Sequence, residues 1–275
     1  APLGSVHVPA LAAGGAVGKH GRPTAAGPCM PRHARGFDTV AAHGWLSRRD
    51  RKLATWMRRI GPIAPDPCWR RAFDPVDALA RAILFQQLSG KAAATIVGRV
   101  EVAIGSSRLH ADTLARVDDA ALRACGVSGN KTLALRDLAA RETGGEIPSL
   151  RRMAGMDDEA IIEALVPIRG IGRWTVEMML MFRLGRPDLL PVDDLGVRKG
   201  AQIVDRLETM PTPRELALRG ERWGPYRTYA AFYLWRIADA AQAAGDQLEH
   251  LVADVVAMGV VEFLEVIDVG HGDHV

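Results

Sequence analysis

Residues 165–200 read LVPIRGIGRWTVEMMLMFRLGRPDLLPVDDLGVRKG, and in them a glycine bend, Gly170-Ile171-Gly172, separates two helical patterns. Upstream, Asp157 and Asp158 cap a helix whose Ile161, Ile162, Leu165 and Val166 recur on one face, until Pro167 and Gly170 close it. Downstream, a helix is expected over about 173–184, with Val176, Met179, Leu180 and Phe182 apolar, stopped by Gly185 and Pro187. A loop then leads to Asp193-Asp194, which opens a third helix.

Two glycines around one apolar residue let the backbone turn sharply and approach another molecule with no Cβ in the way. The N–H groups at the start of the following helix form an anion site, with Arg173 and Thr175 as added donors. Such a bend suits one DNA or RNA phosphate. Alone it is weak evidence, because an αα-corner uses glycines merely as caps. Asp193 and Asp194 have a plain reading too, as caps of the helix beginning at Leu195. The two roles are compatible, since the positive end of a helix suits a carboxylate.

The combination of bend, loop and Pro191-Val192-Asp193-Asp194-Leu195-Gly196-Val197 resembles the helix-hairpin-helix DNA glycosylases, in particular their 3-methyladenine (alkylated-base) branch. In that family the hairpin grips backbone phosphate, and one essential Asp stands at the mouth of a base pocket, opening a helix as D-x-x-apolar. Asp194 fits that pattern and its distance from Trp174, with Asp193 in reserve. The resemblance assigns Gly170, Ile171, Gly172, Arg173 and Thr175 to DNA backbone, and Trp174 to the base pocket. Met178 stands where a stacking Tyr is expected, which leaves the range of substrates open. The main-chain carbonyls of Val166, Ile168 and Ile171 are the expected ligands of a structural monovalent cation.

Other blocks carry the likeness outward, to about 45–240. Residues 82–93 contain Ala82-Ile83-Leu84-Phe85-Gln86-Gln87-Leu88-Ser89, similar to the family element that wedges into the space left by a flipped base. Gln87 and Leu88 are expected against DNA and Gln86 at the wall of the site, although adjacent glutamines also serve as hydrogen-bonded packers between helices. In the turn Gly126–Lys131, Lys131 is expected at phosphate. The run from Trp223 through Tyr226 and Tyr229 to Trp235 resembles the family's aromatic helix, whose last Trp lines the base pocket; some of these aromatics serve the core.

The expected architecture is all-α, with two helical subdomains, a central helix-hairpin-helix, a cleft between them and no N-terminal β-domain. Residues 1–43, rich in Gly, Ala and Pro, read as a disordered or loosely packed leader with no apolar core of a signal peptide. Residues 44–243 form the glycosylase domain, within which Leu46, Leu53, Trp56, Met57 and Ile60 suggest one helical run closed by Gly61-Pro62. Residues 244–275 form an acidic extension.

Of the 275 residues 48% are hydrophobic and the net charge is +3, enough apolar content for a real core and a mild basic bias compatible with nucleic acid. The bias is uneven: Arg48, Arg49, Arg51, Lys52, Arg58 and Arg59 crowd one region. No apolar run approaches the roughly 18 residues of a membrane span. Three separated cysteines neither make a disulfide framework nor supply four ligands for an iron–sulfur cluster, and they suggest a reducing interior. The eight histidines show no ligand spacing.

The resemblance implies a monofunctional glycosylase, without cofactor, that hydrolyses the N-glycosidic bond of flipped-out alkylated purines of the 3-methyladenine type in base-excision repair. Its partner is double-stranded DNA containing damaged bases, its state a monomer and its location the bacterial cytosol and nucleoid. Trp174 occupies the position of the nucleophilic Lys of lyase-type relatives, so β-elimination is not expected. The alternatives are a non-catalytic helix-hairpin-helix DNA-binding protein and a glycosylase for another lesion, such as an oxidised purine.

Overall fold

The computed structural model describes residues 35–246. Thirteen α-helices run through them: α1 Thr39–Arg49, α2 Arg51–Ile60, α3 Pro75–Phe85, α4 Gly90–Ile104, α5 Ala111–Leu114, α6 Asp119–Ala124, α7 Gly129–Thr143, α8 Leu150–Ala154, α9 Asp158–Leu165, α10 Arg173–Met179, α11 Leu195–Asp205, α12 Pro213–Gly220 and α13 Arg227–Asp246. Among the described residues there is no strand, as the sequence predicts, and no helix is long and apolar enough to cross a membrane.

Helices α3 to α7 pack on one another, whereas α1, α2, α11 and α13 form a second group. The hairpin between α9 and α10 links them, and a continuous apolar core extends through both, from Leu79 and Leu135 to Leu165, Val176 and Tyr229. The α3 pattern explains its central place: every residue from Pro75 to Phe85 is buried, including Asp77 and Arg81, which pair with each other at 2.8 Å. An apolar helix with one internal ion pair tolerates protein on all sides.

Two expectations at the N-terminal side need correction. The leader does not extend to residue 43: Phe37 is buried, Asp38 caps α1 by accepting from the N–H groups of Val40 and Ala41, and the Gly36 N–H donates to the Leu184 carbonyl. The Ala-rich, Gly44-containing α1 simply lacks a visible apolar stripe. Nor is there one run to Ile60, because Asp50 ends α1 and its carboxylate caps α2 through Lys52 and Leu53. The remaining leader, 1–34, and the C-terminal stretch beyond Asp246 lie outside the described residues.

Candidate active site

Asp194 is the N-cap of α11, and its Oδ1 accepts from the Val197 N–H at 2.8 Å. The cap role expected for an Asp here is therefore real, but it accounts for only part of the carboxylate. Trp235 Nε1 also donates to Oδ1 at 2.8 Å, and Trp174 Nε1 donates to Oδ2 at 2.8 Å. Three N–H groups from three helices thus fix one half-buried carboxylate between two indoles. Asp193, by contrast, is exposed.

Trp235 reaches Asp194 because α11 and α13 cross unusually closely. A Cβ on Gly200 would stand 2.6 Å from the Leu234 carbonyl carbon, and one on Gly196 would stand 2.7 Å from Trp235 Cδ1. Side chains at either position would push α13 away. Behind the indole, Phe182 and Phe232 are stacked at centroid distances of 5.8 and 6.2 Å from Trp235, so the ring has a fixed plane. The sequence reading missed Gly196, Gly200, Phe182 and Phe232; glycines four apart on α11 were the available signal.

The hairpin is a tight bend set on a buried base. Ile168 and Ile171 are buried and anchor it from below, while Gly172 and Arg173 are exposed. Gly170 has φ 80, in the region that favours glycine. Ile171 N–H closes the bend on the Ile168 carbonyl at 3.0 Å, taking one lone pair of an oxygen expected to face a cation.

Several expected contacts lie elsewhere. Thr175 and Met178 are buried, at 7% and 1% exposure, so the first does not add a surface donor and the second belongs to the core rather than to an open wall. Their positions on α10 point them inward, where Met fills space. Gln86 does not turn to Asp194: its Nε2 donates to the Gly170 carbonyl at 2.7 Å. Lys131 Nζ spends two of its three N–H groups inside the protein, on the carbonyls of Leu84 and Gln86, each at 2.7 Å, and burial lowers its pKa. Gln87 and Leu88, the residues expected against DNA, are exposed, and Gln87 has φ 58.

Arg173 is likewise committed. Its guanidinium makes a paired contact with Glu159 at 2.7 and 2.8 Å and a single one with Glu177 at 3.0 Å, and the Glu159 bond above all holds its charge. Glu177 is buried, and burial pushes its carboxyl up to about 7 despite Arg173, with Asp193 adding in the same sense. The pair is uneven because Arg173 spends its fork on the more exposed Glu159. A cleft of about 550 Å³ lies away from these residues, between Phe73, Asp74, His110, Glu142 and Leu150. The aromatic and carboxylate chemistry is instead at Asp194.

Comparison with known proteins places the chain in a family. Residues 80–225 match the model of the HhH-GPD superfamily base excision DNA repair protein. The chain is 34% identical over 197 residues to DNA-3-methyladenine glycosylase 1 of Schizosaccharomyces pombe, covering 71% of this chain and 86% of that protein. Among solved structures, the S. pombe 3-methyladenine DNA glycosylase in complex with abasic DNA matches with TM-score 0.60 and 33% identity, covering 77% of this chain and 99% of that one. A DNA-3-methyladenine glycosidase from Bacillus halodurans matches with TM-score 0.66 and 33% identity, over 76% of this chain and 96% of its own.

Proposed function

This chain belongs to the HhH-GPD superfamily of base-excision DNA repair proteins, and on that premise we propose that Asp194 is the carboxylate that hydrolyses the base from the sugar. The protein is a DNA glycosylase of the 3-methyladenine type, and DNA is its partner. The observation that carries the assignment is the Trp174–Asp194–Trp235 arrangement, in which both indole N–H groups end on one carboxylate.

A glycosidic bond inside a duplex is out of reach, so the nucleotide must leave the stack. On this reading the exposed Gly172 end of the hairpin grips the DNA backbone and the exposed Gln87–Leu88 tip fills the gap; their exposure supports it. A purine alkylated at N3 or N7 carries positive charge, which suits the faces of Trp174 and Trp235 and makes it a good leaving group. As it departs with the bonding electron pair, the base becomes neutral and positive charge develops at C1′. Asp194 stabilises that charge and orients the water that attacks C1′; the water's proton leaves to the carboxylate or to solvent. With Trp174 and Arg173 at the helix start and no lysine there, the product is an abasic site without strand cleavage.

The preferred lesion is a cationic purine on this reading, the protein acts as a monomer, and a monovalent cation at the carbonyls of Val166, Ile168 and Ile171 serves structure only. As a DNA enzyme it works where DNA lies, here the bacterial cytosol and nucleoid. A non-catalytic DNA clip would have no use for two tryptophans tied to one carboxylate.

Release of methylated purines from alkylated DNA tests the assignment. Asp194→Asn keeps an acceptor for the Val197 N–H but loses the charge, and its rate is expected to fall by about 10²–10³-fold. Asp193→Asn is expected to stay near wild type. Undiminished release by Asp194→Asn would refute the role, and equal loss in Asp193→Asn would deny its assignment to one residue.

A further inference from the structure

The two elements that meet DNA in this reading, the hairpin and the tip after α3, are both fastened to the same side of α7. Near its start, Lys131 Nζ holds the Leu84 and Gln86 carbonyls at the end of α3. One turn on, Ala134 lies under the hairpin, where a Cβ on Gly170 would come 3.3 Å from its own Cβ. Another turn on, Asp137 Oδ2 accepts from the Arg169 N–H at 2.8 Å. Gln86 then closes the circuit directly through its 2.7 Å bond to the Gly170 carbonyl. A ring of hydrogen bonds therefore runs from α7 to the tip, from the tip to the hairpin, and from the hairpin back to α7.

We propose that Gln86, Lys131 and Asp137 are positioning residues that lock the hairpin and the Gln87–Leu88 tip into one rigid DNA-reading unit. This rests on the glycosylase reading above. The distance from Lys131 to Asp137 along the helix is about 9 Å at 1.5 Å per residue, so α7 acts as a spacer that fixes the offset between grip and tip. Extrusion of a base needs both at once, because backbone held without a filled gap lets the base return to the stack. The local conformation agrees: Gln87 keeps a left-handed backbone, φ 58, immediately beside the residue that Lys131 and Gly170 hold, and exposed Leu88 follows it. The Arg169 N–H, with Arg141 beside it, keeps the Asp137 carboxyl below its ordinary range, as an acceptor in steady use.

The lock predicts a dependence on the substrate that mere stabilisation of the fold does not. Single-turnover release of N7-methylguanine is measured from a fully paired duplex and from one in which the lesion faces an abasic gap and is already poorly stacked. Asp137→Ala and Gln86→Met are each expected to slow release from the paired duplex by roughly tenfold, the equivalent of one lost hydrogen bond, and from the gapped duplex by no more than about twofold. Asp137→Asn, which still accepts from Arg169, should recover the paired-duplex rate. Equal slowing on both substrates, or none on either, overturns the lock. A wild type that releases no base from either duplex removes instead the glycosylase reading beneath it, and shows this before any variant is made.

Discussion

Gly200 of α11 and Leu234 of α13 are in backbone contact, close enough that a methyl group on the glycine would stand 2.6 Å from the Leu234 carbonyl carbon and closer still to its oxygen. Leu234 precedes Trp235, so this contact fixes how near the indole N–H comes to Asp194. A packing detail of two helices thereby sets the geometry of the carboxylate.

Gly200→Ala accordingly separates a gain from a loss. Alanine favours the helix by about 1 kcal/mol, but wedging a methyl group against backbone costs roughly 1–3 kcal/mol or more. Thermal unfolding is expected to show net destabilisation, and glycosylase activity should fall even at temperatures where the variant is fully folded, as Trp235 moves off Asp194. A variant with unchanged melting temperature and activity would show that the crossing is not tight.

The indole N–H groups themselves are tested by Trp235→Phe and Trp174→Phe, which keep an aromatic face and remove one donor each. Each loses about one hydrogen bond to a charged group, so kcat is expected to drop about tenfold or somewhat more. KM for alkylated duplex should change little, since phosphate contacts are untouched. A rise in KM at constant kcat would mean that these rings serve only to bind the base.

Buried Asp50 accepts hydrogen bonds from the Lys52 and Leu53 N–H groups and from Trp223 Nε1, and it forms an ion pair with Arg222 at 2.9 Å. Asp50→Ala removes the α2 cap and strands the Trp223 N–H inside, so a stability loss of about 3 kcal/mol is expected from urea unfolding. Arg222 also pairs with Asp205, where burial pushes the carboxyl up but Arg222, Arg219 and Lys52 hold it below its usual range. That part of the stability is present above the ordinary carboxylate range and lost as pH falls through the lowered value. If Asp50→Ala unfolds at the wild-type urea concentration, the cluster is ornamental.

How much of this was visible in the sequence differs by residue. The bend at Gly170 and the capping role of Asp194 were legible from residue type alone, since a sharp turn favours glycine and a helix start favours a carboxylate, whereas the site roles of Asp194, Trp174 and Trp235 came only from the family resemblance. Gln86 and Lys131 were expected at the site wall and at phosphate, and the structure ties their side chains to main-chain carbonyls, of Gly170 and of Leu84 and Gln86. A polar side chain near a surface reads the same whether it faces DNA or a carbonyl, and only the fold shows that α3 ends beside α7. Asp137, an ordinary helical acid three residues past Ala134, carried no signal at all, since its partner is a backbone N–H 32 residues away. The basic residues of α1 and α2, Arg48, Arg49, Arg51, Lys52, Arg58 and Arg59, are all exposed as a charged face should be, and Lys52 also reaches toward Asp205 at 3.7 Å.

Glu177 makes the fold sensitive to pH close to neutrality. Its carboxyl rises from 4.5 to about 7, first through burial, with Asp193 and Glu159 adding negative charge and Arg173 opposing. Because the folded protein holds this proton more tightly than the unfolded chain does, stability is greatest at acid pH with respect to this group and declines as pH rises between about 4.5 and 7. A shift of this size corresponds to roughly 3 kcal/mol as an upper bound. Glu177→Gln cannot ionise and keeps an acceptor for Arg173, so its stability relative to wild type should improve as pH rises from 5 to about 7 and level off above that. Urea midpoints collected across that range decide the matter: two parallel curves would mean that Glu177 is ionised throughout, with Arg173 winning over burial.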